Sequence, residues 1–299
     1  MPHLSPFRAD VLADKNILIT GGGGGLGREV AQRLAAHGAT VHICGRREAI
    51  LADTVAALSA ETGARIVPHV CDIRDATAID AMMDAIWADA PLTGLVNNAA
   101  ANFITPTKDL SPRGYEAIRS TVMDGSFFTT IAAGKRWIED GLPGSVVSNL
   151  VTWVWTGSAF VVPSAMAKSA IHAMTMSLAV EWAQYGIRLN ATAPGPFPTP
   201  GAWDKLNPLP DTTSSATSAE KVPMGRFGDM DELGNMMIFL MSDACDYLTG
   251  QTIAIDGAQH LAAPGTFADL TALTDTQWAD VREKIRASSS RDKAARATG

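Results

Sequence analysis

The chain has 299 residues, 46% of them apolar and 18% charged, so it can build a large core and disorder is excluded as its main state. At ~150 residues per domain, the length fits one large domain or two ordinary ones. A net charge of -7 and a pI of about 5.3 set the chain against nucleic-acid phosphates, without excluding a local basic pocket. Cys44, Cys71 and Cys245 are odd in number, widely spaced and free of CxxC or CxxH patterns. They predict reduced thiols, a cytoplasmic setting, no disulfide framework and no metal site. Met1–Asp10 lacks the apolar run of a signal peptide. The uncharged stretch between Asp140 and Lys168 is interrupted by Pro143, Gly144, Gly157 and Pro163, which argues against a membrane span.

Along the chain, residues 1–13 read as an N-terminal arm. Lys15–Thr20 is a short apolar run that stops at five glycines, and helical periodicity follows from Leu26 to His37. Thr40–Cys44 reads as a strand, Arg47–Glu61 as a helix ended by Gly63, Arg65–Val70 as a strand and Ala76–Ala88 as a helix. Gly94–Val96 is a compact strand ending at Asn97-Asn98. The alternation continues with a helix over Gly125–Asp140, a strand over Ser145–Leu150, a helix over Ser164–Tyr185 and a strand over Ile187–Thr192. Pro194–Ser218 reads as a loop or lid, Asp231–Met241 as a helix and Thr252–Ile255 as the last strand. Strand and helix take turns, and the strands are apolar on both faces, as in a parallel sheet covered by helices. Residues 14–260 form one α/β domain in this reading. Residues 261–299 are a tail packing on it, with a helix near Thr276–Ile285 and a frayed end of about a dozen residues.

The glycine run lies between a strand and a helix, where backbone can approach a pyrophosphate and a helix N-terminus can meet it. This makes Gly21, Gly23, Gly24, Gly25, Leu26 and Gly27 candidate nucleotide contacts. The second strand ends in Gly45-Arg46-Arg47, where an acidic residue would select NAD. Guanidiniums there suit a 2′-phosphate, with Arg28 as a possible third, so the predicted cofactor is NADPH/NADP+. Asp72 and Ile73, ending the third strand, are candidates for the adenine edge.

The spaced glycine loop, Asn97-Asn98-Ala99-Ala100 and Pro194-Gly195-Pro196 together resemble the short-chain dehydrogenase/reductases over about Asp14 to Gly257. The resemblance implies a single Rossmann-like, doubly wound domain with a seven-stranded parallel sheet, commonly in a homotetramer. It places Asn98, Ala99, Lys168, Pro194, Gly195, Pro196 and Phe197 at the cofactor. The family's tyrosine, four residues before the lysine, is Ser164 here. Its serine falls near Val151 and its helix asparagine near Val122.

Asn97–Pro106, Gly157–Lys168, Glu181–Gly195 and the tail Gly265–Glu283 are similar to one tyrosine-lacking branch, the NADPH-dependent 2,4-dienoyl-CoA reductases. That resemblance implies an acyl-CoA substrate and a catalytic set of Asn102, Ser164 and Lys168, with Asn102 as oxyanion donor. Arg74, Phe103, Ser111 and Lys205 are the implied substrate contacts. Trp153 stands where some members place a proton-donating tyrosine. An indole is no general acid near neutral pH, so water or Asp124 is left as donor. Trp153, Trp155 and Phe160 form an aromatic set suited equally to an acyl pocket and to core packing. His172, Met166, Met174 and Met176 read as helix-packing residues. Reduction of another activated alkene or carbonyl, or NADP binding with little turnover, are the alternative functions.

Overall fold

The computed structural model describes residues 5–199, 219–262 and 267–297. The seven strands are β1 (Asn16–Thr20), β2 (Thr40–Gly45), β3 (Ile66–Val70), β4 (Gly94–Asn97), β5 (Gly144–Asn149), β6 (Ile187–Pro194) and β7 (Thr252–Ile255). They form one sheet in the order β3-β2-β1-β4-β5-β6-β7, and every neighbouring pair is parallel. Chain order reverses between β1 and β4, so the crevice beyond their carboxyl ends is a topological switch point.

The helices that cover the sheet include α1 (Gly25–Ala35), α2 (Glu48–Thr62), α3 (Ala76–Trp87), α4 (Pro112–Arg119) and α5 (Gly125–Asp140). They continue with α6 (Trp153–Thr156), α7 (Val162–Glu181), α8 (Met230–Met241), α9 (Gln259–Ala262) and α10 (Asp275–Ala297). Side chains alternate between faces along β1. Ile17 and Ile19 enter a core shared with Val30 and Leu34 of α1 and Met237 of α8, while Leu18 enters the opposite core with Met83 of α3 and Trp137 of α5. Both faces are therefore dry along the central strands β1, β4 and β5, which explains why these read as continuous apolar runs, while the edge strands β3 and β7 are partly exposed.

Expected and observed elements differ mainly at their ends. The helix expected over Ser164–Tyr185 is α7, with a separate 3-10 turn at Ala183–Tyr185. Strand β6 runs to Pro194, so the loop begins at Gly195, and its part from 200 to 218 lies outside the described residues. The tail helix is longer than its period predicts: α10 continues to Ala297, into the stretch expected to fray, whose last two residues lie outside the described ones. The period also misses α4 and the π-helical turn Ser120–Asp124 that joins it to α5. A π-bulge adds one residue per turn, which shifts the 3.6-residue signal out of phase. Tyr115 lies in α4, Tyr185 in the 3-10 turn, and Tyr247 is fully exposed in a turn. No helix among the described residues is long and apolar enough to cross a membrane.

Candidate active site

The glycine loop follows β1 directly. Gly21 has φ +67° and lies against Ala99, to whose Cα a Cβ at Gly21 would come within 2.9 Å. A Cβ at Gly27 would sit 2.4 Å from both the Asn98 amide nitrogen and the Gly21 carbonyl. Only hydrogen fits at Gly27, because α1 must start hard against the ends of β1 and β4. Gly24, the N-cap of α1, offers no side-chain cap, and a Cβ there would meet nothing within 4 Å. Uncapped N–H groups facing open space are what a pyrophosphate needs. The residues present thus fit a dinucleotide.

Beyond β1, Thr20 Oγ1 accepts from the backbone N–H groups of Asn98 and Ala99, each at 3.0 Å. The Asn98 amide donates to the Thr20 carbonyl at 3.1 Å, and its oxygen accepts from the Asn149 amide at 3.2 Å. Asn149 Oδ1 in turn accepts from Thr192 Oγ1 at 3.3 Å. Lys168, buried nearly two turns into α7, donates through Nζ to the Asn149 carbonyl. Burial lowers its pKa to about 8. A continuous polar chain therefore joins the ends of β1, β4, β5 and β6 to Lys168. Asn97 braces it from below by donating to Thr130 Oγ1 at 2.8 Å and Ser148 Oγ at 3.4 Å.

Ser164 lies one turn before Lys168. It is buried, and its hydroxyl has no hydrogen-bond partner among the described residues. Asn102 sits half-buried after β4. Its oxygen accepts from the Phe103 N–H at 2.9 Å, leaving the two amide hydrogens without a protein acceptor among the described residues. Val122 is fully buried in the π-turn beneath this loop. Asp124, at the end of the same turn, is ion-paired to Arg119 at 2.9 Å.

At the ends of β2 and β3, Arg46 and Arg47 are exposed beside Asp72 and Arg74. The Arg74 guanidinium grips Asp72 at 2.5 Å and, with that hydrogen bond as the largest cause, holds the carboxyl below its usual range. Ile73 is buried against Gly125. Leu26, in the first turn of α1, packs on the core, and Phe197 is buried in that same core.

Several predicted residues have other engagements. Arg28 pairs with Glu29 at 3.2 Å and Glu61 at 3.4 Å, turned to a neighbouring acidic pair. Ser111 caps α4, accepting from the Gly114 N–H at 3.1 Å. Trp153 is 8% exposed and packs edge-to-face on Phe267 of the tail, with ring centroids 5.6 Å apart. Phe160 packs on Trp278 of α10. Those two aromatics therefore belong to a core with the tail, while Trp155 is exposed beside His172 and His260. Met166 and Met176 are exposed, not packed within the chain, and Met174 is half-buried. Lys205 lies outside the described residues.

Sequence reasoning missed Thr20, Asn149 and Thr199. Thr199 is buried, with its hydroxyl 3.9 Å from a Cβ built at Gly25, so the segment after β6 folds over the glycine loop. The signal for Asn149 was its place as the last residue of β5, level with Asn98, the residue after β4.

A family model described as enoyl-(acyl carrier protein) reductase matches residues 22–260. A Caenorhabditis elegans protein named "Probable 2,4-dienoyl-CoA reductase [(3E)-enoyl-CoA-producing]" is 37% identical over 96% of this chain and 94% of its own length. A Bacillus subtilis protein named "Probable 2,4-dienoyl-CoA reductase [(2E)-enoyl-CoA-producing]" is 37% identical over 83% of this chain and 97% of its own. Among solved structures, a short-chain dehydrogenase from Bacillus anthracis superposes with a TM-score of 0.74 at 34% identity, covering 84% of this chain and 98% of that one. With the sheet order, the glycine loop and the Asn149–Lys168 link in place, these likenesses leave one conclusion: the chain is an oxidoreductase of the short-chain dehydrogenase/reductase family, among its 2,4-dienoyl-CoA reductase-like members.

Proposed function

We propose that the protein is an NADPH-dependent reductase of an unsaturated acyl-CoA thioester, acting on a conjugated 2,4-dienoyl chain. The observation that carries this reading is that the buried Lys168 amine, held on the Asn149 carbonyl, is preceded one helical turn earlier by Ser164, whose hydroxyl has no partner among the described residues, where alcohol-forming relatives use a tyrosine. An aliphatic hydroxyl is far less acidic than a phenol, so Ser164 is a poor substitute for tyrosine as proton donor to a developing alkoxide. Alkene reduction needs a different device: donors for a thioester oxygen that becomes negative as the dienolate forms.

NADPH, when bound, supplies the hydride to the far end of the conjugated chain. Gly21–Gly27 would hold its pyrophosphate, Arg46 and Arg47 its 2′-phosphate, and Lys168 its nicotinamide ribose. Asp72, Ile73, Asn98, Ala99 and Pro194–Phe197 would line the adenine and nicotinamide ends. Asn102 donates an amide hydrogen to the thioester oxygen, and the positive charge on Lys168 favours the same oxyanion. Ser164 orders the thioester or a water. Water is the proton source in this reading, because Asp124 is held by Arg119 and Trp153 is turned into the tail core. Phe103 meets the acyl chain, and Arg74 with Lys205 meets the CoA phosphates.

Two further features support a homotetramer in the cytoplasm. Met166, Ala173 and Val180 form an exposed, apolar stripe at seven-residue spacing along α7, a face suited to a second copy. The three cysteines are free, with Cys44 and Cys71 buried.

The test is NADPH oxidation at 340 nm with a 2,4-dienoyl-CoA, beside the matched 2-enoyl-CoA and a simple ketone. Turnover on the dienoyl thioester alone is expected, and product analysis then assigns the double bond, on which the two named relatives differ. Turnover on the ketone alone would replace this reading with carbonyl reduction. Tight NADPH binding without turnover would make the chain a binding protein.

A further inference from the structure

Residues 267–285 pack a small third core against two loops that flank the candidate site. Phe267, Trp278 and Val281 from the tail are nearly solvent-free there, together with Ile104 from the loop after β4 and Trp153 and Val161 from the loop after β5. The two loops are also stitched to each other, since the Thr105 N–H donates to the Phe160 carbonyl at 2.9 Å. Phe160 has φ +63°, a left-handed conformation that is unfavourable for an aromatic residue. Its ring lies 4.8 Å from that of Trp278, so tertiary packing holds the strained turn. At the rim, Lys108 pairs with Asp275 at 3.2 Å and Arg282 with Asp109 at 2.9 Å. Exposed pairs of this kind add register more than stability.

We infer that the C-terminal segment is a clamp, with Trp278 as a positioning residue that holds the Asn102–Asp109 loop and the Val151–Val161 loop in working register through Phe160, while Phe267 of the same segment holds Trp153. Asn102 stands two residues before Ile104, the anchor of its loop in this core. The cofactor loop lies on the other side of the sheet's switch point and shares no residue with the clamp. Loosening the clamp therefore disturbs the acyl side and spares the nucleotide side. Naming Asn102 as the residue positioned rests on the proposed reductase function, whereas the clamp itself does not.

The experiment compares full-length Trp278→Ala, Trp278→Phe and Phe160→Gly with the wild type. Glycine adopts φ +63° without strain, so Phe160→Gly removes the ring contact while leaving the tail sequence intact. Amide hydrogen exchange reads the clamp without any substrate. Exchange over residues 102–109 and 151–161 is expected to rise at least tenfold in Trp278→Ala and Phe160→Gly, with residues 16–35 unchanged. With a dienoyl-CoA, kcat should fall at least tenfold while the Kd for NADPH stays within twofold, and Trp278→Phe should recover most of the turnover. Wild-type exchange over 102–109 in both disrupting variants would overturn the clamp, as would an equal loss of NADPH affinity. If the wild type does not reduce dienoyl-CoA but the exchange pattern appears, the clamp stands and the substrate reading fails.

Discussion

Asn102 is the residue at which the proposed chemistry is most exposed to test. Its side-chain oxygen accepts from the half-buried Phe103 N–H and its amide hydrogens have no protein acceptor among the described residues, so Asn102→Ala removes the amide donor together with one local acceptor for the loop backbone. Loss of one such donor costs about 10²–10³-fold in turnover. Steady-state kinetics should show that loss with NADPH affinity retained, and unchanged turnover would remove Asn102 from the oxyanion role. Lys168 gives a pH signature. Burial places its pKa at about 8, against ~10.4 for an unperturbed lysine, so its positive charge is lost as pH rises through about 8. Between those values the unfolded chain binds more protons than the folded one, so the contribution of Lys168 to stability rises with pH while its charge disappears. kcat/KM is accordingly expected to decline above pH 8 while the melting temperature does not fall with it, and Lys168→Met should abolish that limb of the profile. At the nucleotide end, Arg46→Ala should weaken NADPH by roughly 10–100-fold, the range of a charge-assisted hydrogen bond. NADH binding, measured by fluorescence titration, should change little. Equal losses would refute the 2′-phosphate reading.

Elements deliver these residues by meeting at their ends. Strands β1, β4 and β5 finish close to one another beside Thr192 of β6, and Thr20, Asn98, Asn149 and Thr192 are linked by hydrogen bonds across the gap. Helix α7 begins at that edge, so the long side chain of Lys168, nearly two turns in, reaches back to the Asn149 carbonyl. The glycine loop works by thinness, because α1 can start only where no side chain separates it from β4. Gly27→Ala forces a methyl to 2.4 Å from the Asn98 amide and the Gly21 carbonyl. Overpacking of that kind costs about 1–3 kcal/mol, and relief requires α1 to move away from the nucleotide. Thermal melts should show the destabilisation and titration a weaker Kd for NADPH, while Gly24→Ala, built into open space, should disturb the fold far less.

At the scale of the whole molecule, the single chain leaves Val180 83% exposed, Met166 54% and Phe127 47% on its outer helices. A monomer would tolerate Val180→Asp within about 0.5 kcal/mol, as an exposed helix position does. Burial of that face against another copy makes the same charge costly. Light scattering on size-exclusion eluates should therefore show a tetramer for the wild type and smaller species for Val180→Asp. An unchanged assembly would take α7 out of the interface.

The sequence by itself determined the architecture, because local patterns carry it. Apolar runs of strand length, helical periods between them and glycine at the β1–α1 turn are features of residues adjacent in the chain. The Ser164–Lys168 spacing was legible for the same reason, since i and i+4 share a helix face. Only the tertiary structure decided which side chains are available. Arg28 reaches Glu61 from 33 residues away, and Ser111 has its hydroxyl occupied by the cap of a helix whose period a π-turn had blurred. Trp153 faces Phe267 of a tail that no local pattern ties to it. A side chain's type shows what it can bind, but its partner is chosen by competition among groups that folding brings together from distant parts of the chain, and that competition is settled only when the whole molecule has packed.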